Sequence, residues 1–195
     1  MLLALHKPYG VLSQFTPDHA GQRTLAAFDL PPRVYPVGRL DRDSEGLLLL
    51  TDDNRVKTRL LDPVQRVEKV YCVQVEGQPS ADALARLAGG VDIRVNKRAH
   101  RTRPARVRAV EDPGFAARQP PVRFRKTVPT AWLELIITEG KNRQVRRMCA
   151  AVGLPVLRLV RVRVGAYELG ELAVGAWRRE DAPTPPRTSP PSRRG

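Results

Sequence analysis

The sequence predicts an α+β fold with a mixed, largely antiparallel sheet flanked by helices. Segments with strand-like patterns outnumber helical ones, and they follow one another in neighbouring runs instead of alternating strictly with helices. The chain of 195 residues is long enough to bury a core without disulfides or metals. Its two cysteines, Cys72 and Cys149, exclude a disulfide scaffold and a CxxC metal site.

The first part of the chain predicts short strands and one short helix. Residues 4–11 surround a Lys-Pro-Tyr-Gly segment and predict a strand that ends in a turn. Residues 24–30 predict a short helix, because two prolines follow it. Residues 34–40 are predicted to be extended. The continuous apolar run at 46–51 has the length of a buried strand.

The middle of the chain alternates between helix and strand signals. A pair of aspartates caps a predicted helix that runs to about residue 61, and alternation at 69–75 predicts a strand. A serine before and two glycines after predict a helix over 80–88. Apolar and basic residues alternate at 91–110, which suits a hairpin with one face in water. Residues 113–129 predict an irregular loop.

The last part predicts three strands, one helix and a tail. Apolar residues at 131–138, 156–164 and 167–177 predict strands. Asn142 is a candidate N-cap for a helix to residue 152, which the following glycine ends. We expect one folded domain over 1–181, with one or two subdomains that share a sheet, and a disordered basic Pro/Ser/Arg tail over 182–195.

The formal net charge of +14 is concentrated in two internal blocks. Residues 94–126 carry 11 basic and 2 acidic side chains, and residues 141–163 carry 7 basic and none acidic. Each phosphate that a basic side chain neutralises releases counterions, so this clustering predicts a nucleic-acid partner. A solvated arginine-rich surface is the alternative, because 28 of the 34 basic residues are arginine.

Nothing in the sequence predicts a membrane or a secretory route. The longest leucine run, at 47–50, is too short to span a bilayer. The apolar start meets Lys7 and Pro8 too early for a signal peptide. Two widely spaced cysteines suit a reducing compartment. We therefore expect a cytoplasmic protein without membrane contact and without a metal site.

The segment 38–51 holds the strongest candidate for chemistry. Its polar residues directly precede a hydrophobic strand, and Arg39 and Arg42 flank Asp41 and would keep it ionised. One interpretation is a turn in which the acidic residues and Ser44 bond to backbone amides. A calcium loop fails, because Leu-Leu-Leu-Leu-Thr follows. A catalytic carboxylate is the third interpretation.

Three motifs in register resemble those of RNA pseudouridine synthases of the RsuA family. Gly-Arg-Leu-Asp-x-x-Ser-x-Gly-Leu-Leu-Leu-Leu-Thr at 38–51 resembles the active-site motif of that family. Residues 69–71 and 139–148 resemble its second and third motifs, and Lys7-Pro8 and 157–161 fit as well. The resemblance covers about residues 2–180 without large gaps.

Three further stretches are closest to one branch of the family. Residues 14–16, 120–123 and 129–132 resemble the RluE-like synthases, which modify large-subunit (23S) ribosomal RNA. Members of the family often carry an N-terminal S4 RNA-binding domain, whereas this resemblance begins at the first residues. We therefore expect no N-terminal S4 domain, and we expect the catalytic domain itself to bind the RNA.

The resemblance implies an isomerase that converts a specific uridine to pseudouridine without cofactor or metal. Asp41 would be the nucleophile or base that acts at the sugar or the uracil ring. Arg146 would pair with Asp41 and fix its rotamer, with a phosphate-binding arginine as the alternative. Tyr71 would stack on the uracil, with a buried strand tyrosine as the alternative.

Basic residues near these motifs are candidates for RNA contacts. Arg39 could fill the gap that an extruded uridine leaves in its helix, with a surface salt bridge as the alternative. The partner would be ribosomal RNA or a pre-ribosomal particle, and the enzyme would act as a monomer. The other candidate RNA-binding residues are Lys141, Asn142, Arg143, Arg147, Arg101 and Arg103.

Two other functions stay open at this point. One is a catalytically silent RNA-binding or ribosome-assembly protein on the same fold, although intact Asp41, Tyr71 and Arg146 argue against it. The other is a synthase that acts on a different structured RNA. A nucleoside hydrolase or glycosidase would need paired carboxylates and would leave the basic blocks unexplained.

Overall fold

The computed structural model describes residues 1–123, 125 and 127–181. Its helices are α1 (Asn54–Leu61), α2 (Ala81–Gly89) and α3 (Gln144–Ala151), with a 3₁₀-helix over Leu25–Phe28. Its strands are β1 (Leu2–Lys7), β2 (Tyr35–Pro36), β3 (Glu45–Thr51), β4 (Lys69–Glu76), β5 (Asp92–Val95), β6 (Arg98–Arg101), β7 (Arg106–Val110), β8 (Thr130–Ile137), β9 (Val156–Val164), β10 (Tyr167–Glu168) and β11 (Trp177–Glu180). The predicted tail over 182–195 lies outside the described residues.

Nine of these strands form the main sheet in the described part of the chain. Its order is β11-β1-β3-β9-β4-β8-β7, with β2 paired to β3 and β10 paired to β9. The pair β3–β9 is parallel, and the other pairs of this sheet are antiparallel. The predicted α+β class with a mixed, largely antiparallel sheet is therefore confirmed.

The main sheet has a hydrophobic cluster on each face. Leu48 and Leu50 of β3 belong to one cluster, and Leu47 and Leu49 belong to the other. Side chains of a strand point alternately to opposite faces, so a strand buried on both sides needs an unbroken apolar run. This explains why the run at 46–51 reads as continuous instead of alternating.

Gly46 allows β3 and β9 to approach closely where they pair. Its φ is +99°, a region that favours glycine, and its Cα pairs with that of Arg161. A Cβ at this position would lie 2.7 Å from the amide nitrogen of Arg161 and closer still to its carbonyl oxygen. The second glycine of the 38–51 motif, Gly46, is therefore required by the close pairing of β3 with β9.

The predicted hairpin over 91–110 is wrong in its second half. Strands β5 and β6 do form a hairpin, with Asn96 and Lys97 in the left-handed conformation that suits a two-residue turn. Residues of β7, however, pair with β8 at the edge of the main sheet. Apolar and basic residues alternate in both places because each strand has one exposed face.

Two other boundaries differ from prediction. Asn142 does not cap α3: the N-cap is Arg143, whose φ of 51° is left-handed and whose side chain makes no capping bond. The predicted strand at 167–177 holds only β10, and β11 begins at its last residue. Leu169 and Leu172 pack against the core from the irregular segment between β10 and β11, which gives the strand-like pattern without a strand. None of the described helices is long and apolar enough to cross a membrane.

Candidate active site

A cavity of about 660 Å³ lies between the loop that precedes β3, the start of α3 and one face of the sheet. Asp41 reaches it from the loop, and Tyr71 reaches it from β4. The sequence prediction that these two residues share a site is consistent with this placement. Predicted RNA-binding residues also line the cavity: Arg39, Arg103, Lys141, Asn142 and Arg143.

The Asp41 loop is held by the segment that follows β1. The backbone amide of Gly10 donates to the carbonyl oxygen of Arg42 (2.8 Å), and Nε of Arg42 donates back to the carbonyl of Gly10 (3.3 Å). Within the loop, the amide of Ser44 donates to the carbonyl of Asp41 (3.0 Å). The backbone therefore makes the turn, while the half-buried side chain of Asp41 points from the same loop into the cavity.

Arg146 does not pair with Asp41 as the sequence predicts. It donates to the backbone carbonyl of Asp43, and its Nε lies 3.4 Å from Oδ2 of that residue. The guanidinium nearest Asp41 belongs to Arg143, at 3.8 Å from Oδ2. Arg143 also donates two hydrogen bonds to the carboxylate of Asp43 (both 2.8 Å). Asp43 thus ties the start of α3 to the loop that carries Asp41.

The charges of this cluster depend on one another. Burial opposes ionisation of Asp43, but the hydrogen bonds from Arg143 and the positive charge of Arg146 outweigh it and lower the pKa of that carboxyl. Burial lowers the pKa of Arg146, and the carboxylate of Asp43 opposes that shift. At neutral pH the cluster therefore presents two guanidinium groups and one neutralising carboxylate behind Asp41.

Arg161 is a cavity residue that sequence reasoning missed. It lies opposite Tyr71 in the β4–β9 register, is buried, and donates from Nε to the carbonyl of Leu47 (2.9 Å). The signal was a set of arginines, at 158, 161 and 163, within a predicted strand whose other residues are all apolar. Arg158 and Arg161 are three positions apart in the strand, so their side chains point to opposite faces of β9. Of these two, only Arg161 lines the cavity.

Comparison with known proteins assigns the chain to a family. The sequence model described as RNA pseudouridylate synthase matches residues 1–151. The chain belongs to this family. It is an RNA pseudouridine synthase, and the resemblance predicted from the three motifs is confirmed.

Relatives and a solved structure resemble the synthase over most of its length. It is 58% identical over 184 residues to the "Ribosomal large subunit pseudouridine synthase E" of Xanthomonas campestris, covering 93% of this chain and 96% of that protein. It is 46% identical to the protein of the same name in Vibrio vulnificus, covering 94% and 76%. A crystal structure of a pseudouridylate synthase shares 30% identity with a TM-score of 0.74, covering 91% and 68%.

The predicted RNA-binding residues differ in how free their side chains are. Arg39 is exposed and donates to the side chain of Gln14 (3.2 Å). Arg101 faces Asp92 at 3.3 Å on the β5–β6 hairpin. Arg147 donates to the carbonyl of Arg94 and to Oδ1 of Asn142, so it links the hairpin to α3. In the synthase, Lys141 and Arg103 are exposed at the cavity.

Glu139 joins three segments around the mouth of the cavity, and the sequence did not single it out. Its carboxylate accepts from the backbone amide of Arg103 (2.8 Å), from Nε2 of Gln144 (2.6 Å) and from the ring of His100 (3.1 Å). Burial opposes ionisation of Glu139, but these donors lower its pKa. The basic β5–β6 hairpin of the synthase is thereby attached to the start of α3.

A buried polar cluster lies behind the Asp41 loop. Glu45 and Arg158 form a two-pronged ion pair (3.0 and 2.9 Å) with both side chains buried. Lys7 is fully buried and donates to the carbonyls of Pro8 (2.9 Å) and Val11 (2.8 Å). Removing one partner of the buried ion pair would leave the other charge uncompensated, which is strongly destabilising.

The ammonium of Lys7 gives a testable pH dependence of stability. Burial lowers the pKa of Lys7 from its ordinary value of 10.5 to about 7, and nearby Glu45 opposes the shift. Between these two pH values the unfolded chain binds more protons than the folded one, so the free energy of unfolding rises with pH. We expect Lys7→Met to remove most of this rise when urea unfolding is compared at neutral and at alkaline pH.

The matched control is Lys97→Met, which removes an exposed lysine from the β5–β6 turn. This variant should keep the rise of the wild-type protein. An undiminished rise in Lys7→Met would show that another group carries the pH dependence.

Proposed function

We propose that this synthase converts a uridine in large-subunit (23S) ribosomal RNA to pseudouridine. The observation that carries the proposal is the cavity that Asp41 and the buried Tyr71 both line, with Arg143 3.8 Å from Asp41. Its volume of about 660 Å³ falls within the range of about 300–1,000 Å³ that is usual for small-ligand sites. The names of the relatives at 58% and 46% identity support the choice of RNA.

The reaction is an isomerisation that rearranges one nucleoside. The N1–C1′ bond breaks, the freed uracil turns, and C5 bonds to C1′. C5 loses its proton and N1 ends with one, so no oxidant, reductant or co-substrate is consumed. Asp41 acts as nucleophile or as base at the sugar or the uracil ring, and an ionised carboxylate suits both routes.

The neighbours of Asp41 have supporting roles. Tyr71 offers a buried ring against which the uracil stacks. Arg143 forms an ion pair with Asp41 at 3.8 Å and would help to orient the carboxylate. Arg146 acts one step further away, because it binds the backbone and carboxylate of Asp43 instead of Asp41.

Basic residues around the mouth would hold the RNA. A base inside a stem is out of reach for chemistry, so the uridine must be extruded into the cavity. Arg39 lies exposed at the mouth, where it could occupy the vacated position in the stem. Lys141 and Arg103, which are exposed at the cavity, would contact phosphates of the RNA.

The whole enzyme would work as a monomer in the cytoplasm, with residues 1–181 as the catalytic domain. Its substrate would be ribosomal RNA or a pre-ribosomal particle, and it would need neither a cofactor nor a metal. The basic blocks support an RNA partner through charge complementarity.

The test is to map pseudouridine in ribosomal RNA. RNA from cells without the gene is incubated with the purified synthase and modified with carbodiimide, and primer extension then locates each pseudouridine. We expect one new stop in the large-subunit RNA. A stop only in another RNA would assign a different substrate, and binding without any stop would support the catalytically silent alternative.

A further inference from the structure

We infer that Ser13 is a positioning residue for Asp41, an inference that rests on the proposed catalytic role of that carboxylate. Ser13 is 4% exposed and lies in the segment that follows β1. Its Oγ donates to the carbonyl oxygen of Leu40 (2.8 Å) and accepts from the amide nitrogen of Leu40 (3.1 Å). One hydroxyl group therefore holds both backbone polar groups of the residue that directly precedes Asp41.

These two bonds replace the ladder bonds that a strand would provide. Leu40 lies in the loop between β2 and β3, and its side chain is buried. Buried backbone groups outside regular structure need partners, and Ser13 supplies both. The donor and the acceptor of Leu40 are thereby directed at a single atom, which restricts rotation of the peptide planes on both sides of this residue.

The same segment also holds the other side of Asp41. Gly10 exchanges two hydrogen bonds with Arg42, the residue that follows Asp41. Asp41 is therefore held between two anchors, Ser13 before it and Gly10 after it. The Gly10 anchor is formed mainly by the backbone, so Ser13 is the anchor that a side-chain substitution can remove.

Loss of the Ser13 anchor would act on the reaction more than on RNA binding. The carboxylate must stand within reach of the extruded nucleoside, and a displacement of roughly 1 Å can cost about 10²-fold in rate. Arg39 belongs to the Asp41 loop, but the other proposed phosphate contacts at the cavity, Lys141 and Arg103, lie outside it, beside α3 and the β5–β6 hairpin. A positioning role therefore predicts a lower kcat with little change in KM.

Thr51 provides a matched control at the other end of β3. It is 3% exposed, and its Oγ1 donates to the carbonyl of Met1 (2.7 Å) and accepts from the amide of Asp53 (3.1 Å). Like Ser13, it is a buried hydroxyl that bridges a backbone donor and a backbone acceptor. Unlike Ser13, it lies outside the cavity lining.

The experiment compares Ser13→Ala with Thr51→Val by single-turnover and steady-state kinetics on a ribosomal RNA fragment that the wild type modifies. Both variants should show a lower Tm, because each loses two hydrogen bonds to backbone groups. We expect kcat to fall by about 10- to 100-fold in Ser13→Ala only, with KM nearly unchanged. Hydrogen exchange should be faster at the Leu40 amide.

Ser13→Cys, which keeps a weak donor of similar size, should recover part of the lost kcat. It replaces Ser13→Ala in the comparison if the alanine variant is unfolded at the assay temperature. Equal kcat losses in the Ser13 and Thr51 variants, or a wild-type kcat in a folded Ser13→Ala, would overturn the inference. Failure of the wild type to modify any ribosomal RNA would instead overturn the proposed function.

Discussion

Replacing Asp41 with asparagine is expected to abolish pseudouridine formation while RNA binding stays intact. Asparagine has nearly the same size, so the loop and its bonds through Gly10 and Ser44 can persist. It lacks the charge and the basicity that either route needs, so we expect turnover to fall by about 10³-fold or more. Carbodiimide primer extension measures the product, and a filter-binding titration measures RNA affinity.

Asp62→Asn is the matched control for this prediction. Asp62 also lines the cavity, where its carboxylate accepts from the amide of Val64 (2.9 Å), a bond that asparagine can keep. This variant removes the same charge from the same cavity and should turn over at the wild-type rate. If the two variants lose turnover equally, the effect is one of net charge. If Asp41→Asn retains more than roughly a few per cent of wild-type turnover, the carboxylate of Asp41 is not essential for the reaction.

Gly46→Ala is expected to destabilise the fold and the site together. The new Cβ would overlap the backbone of Arg161, which cannot move aside as a flexible side chain could. The parallel pair β3–β9 must then separate, and β3 begins only a few residues after Asp41. We expect a loss of about 3 kcal/mol in the free energy of unfolding, measured by urea denaturation.

Gly114→Ala is the control that distinguishes steric overlap of the new Cβ from backbone strain at a positive φ. Gly114 also has a positive φ, of 69°, but nothing lies within 4 Å of the position of its Cβ. Strain alone should cost about 1 kcal/mol there. A Gly46→Ala variant that is no less stable than Gly114→Ala would show that β3 and β9 can separate without cost.

Local signals predicted much of the fold. Asp53 and Ser80 cap α1 and α2 with side-chain bonds to the backbone amides, as expected from their types and positions. Strand β3 appears where the apolar run predicts it. Such features depend on a few neighbouring residues, so a single sequence contains them. Whether β7 pairs with β6 or with β8 depends on contacts between segments that are distant in the sequence, and a local pattern does not contain this information.

The sequence predicted which segments form the candidate site, but it did not predict which side chains contact one another there. The motifs place Asp41 and Tyr71 at one cavity, yet the sequence predicts the wrong arginine for Asp41. The reason is geometric: α3 begins one residue later than an Asn142 N-cap would give, and Arg143 is its N-cap with a left-handed φ of 51°. Arg143 therefore faces the loop. The roles of these residues in the reaction stay predictions.

The position of Asp41 next to the third and fourth strands of the main sheet determines how the site responds to thermal motion. The outermost strands, β11 and β7, have a partner on one side, whereas β3 and β9 have partners on both. Fraying begins at such edges, and interior strands open only at a free energy close to that of complete unfolding. The loop that carries the carboxylate is attached to an interior strand, so we expect Asp41 to keep its position when the edges of the sheet open.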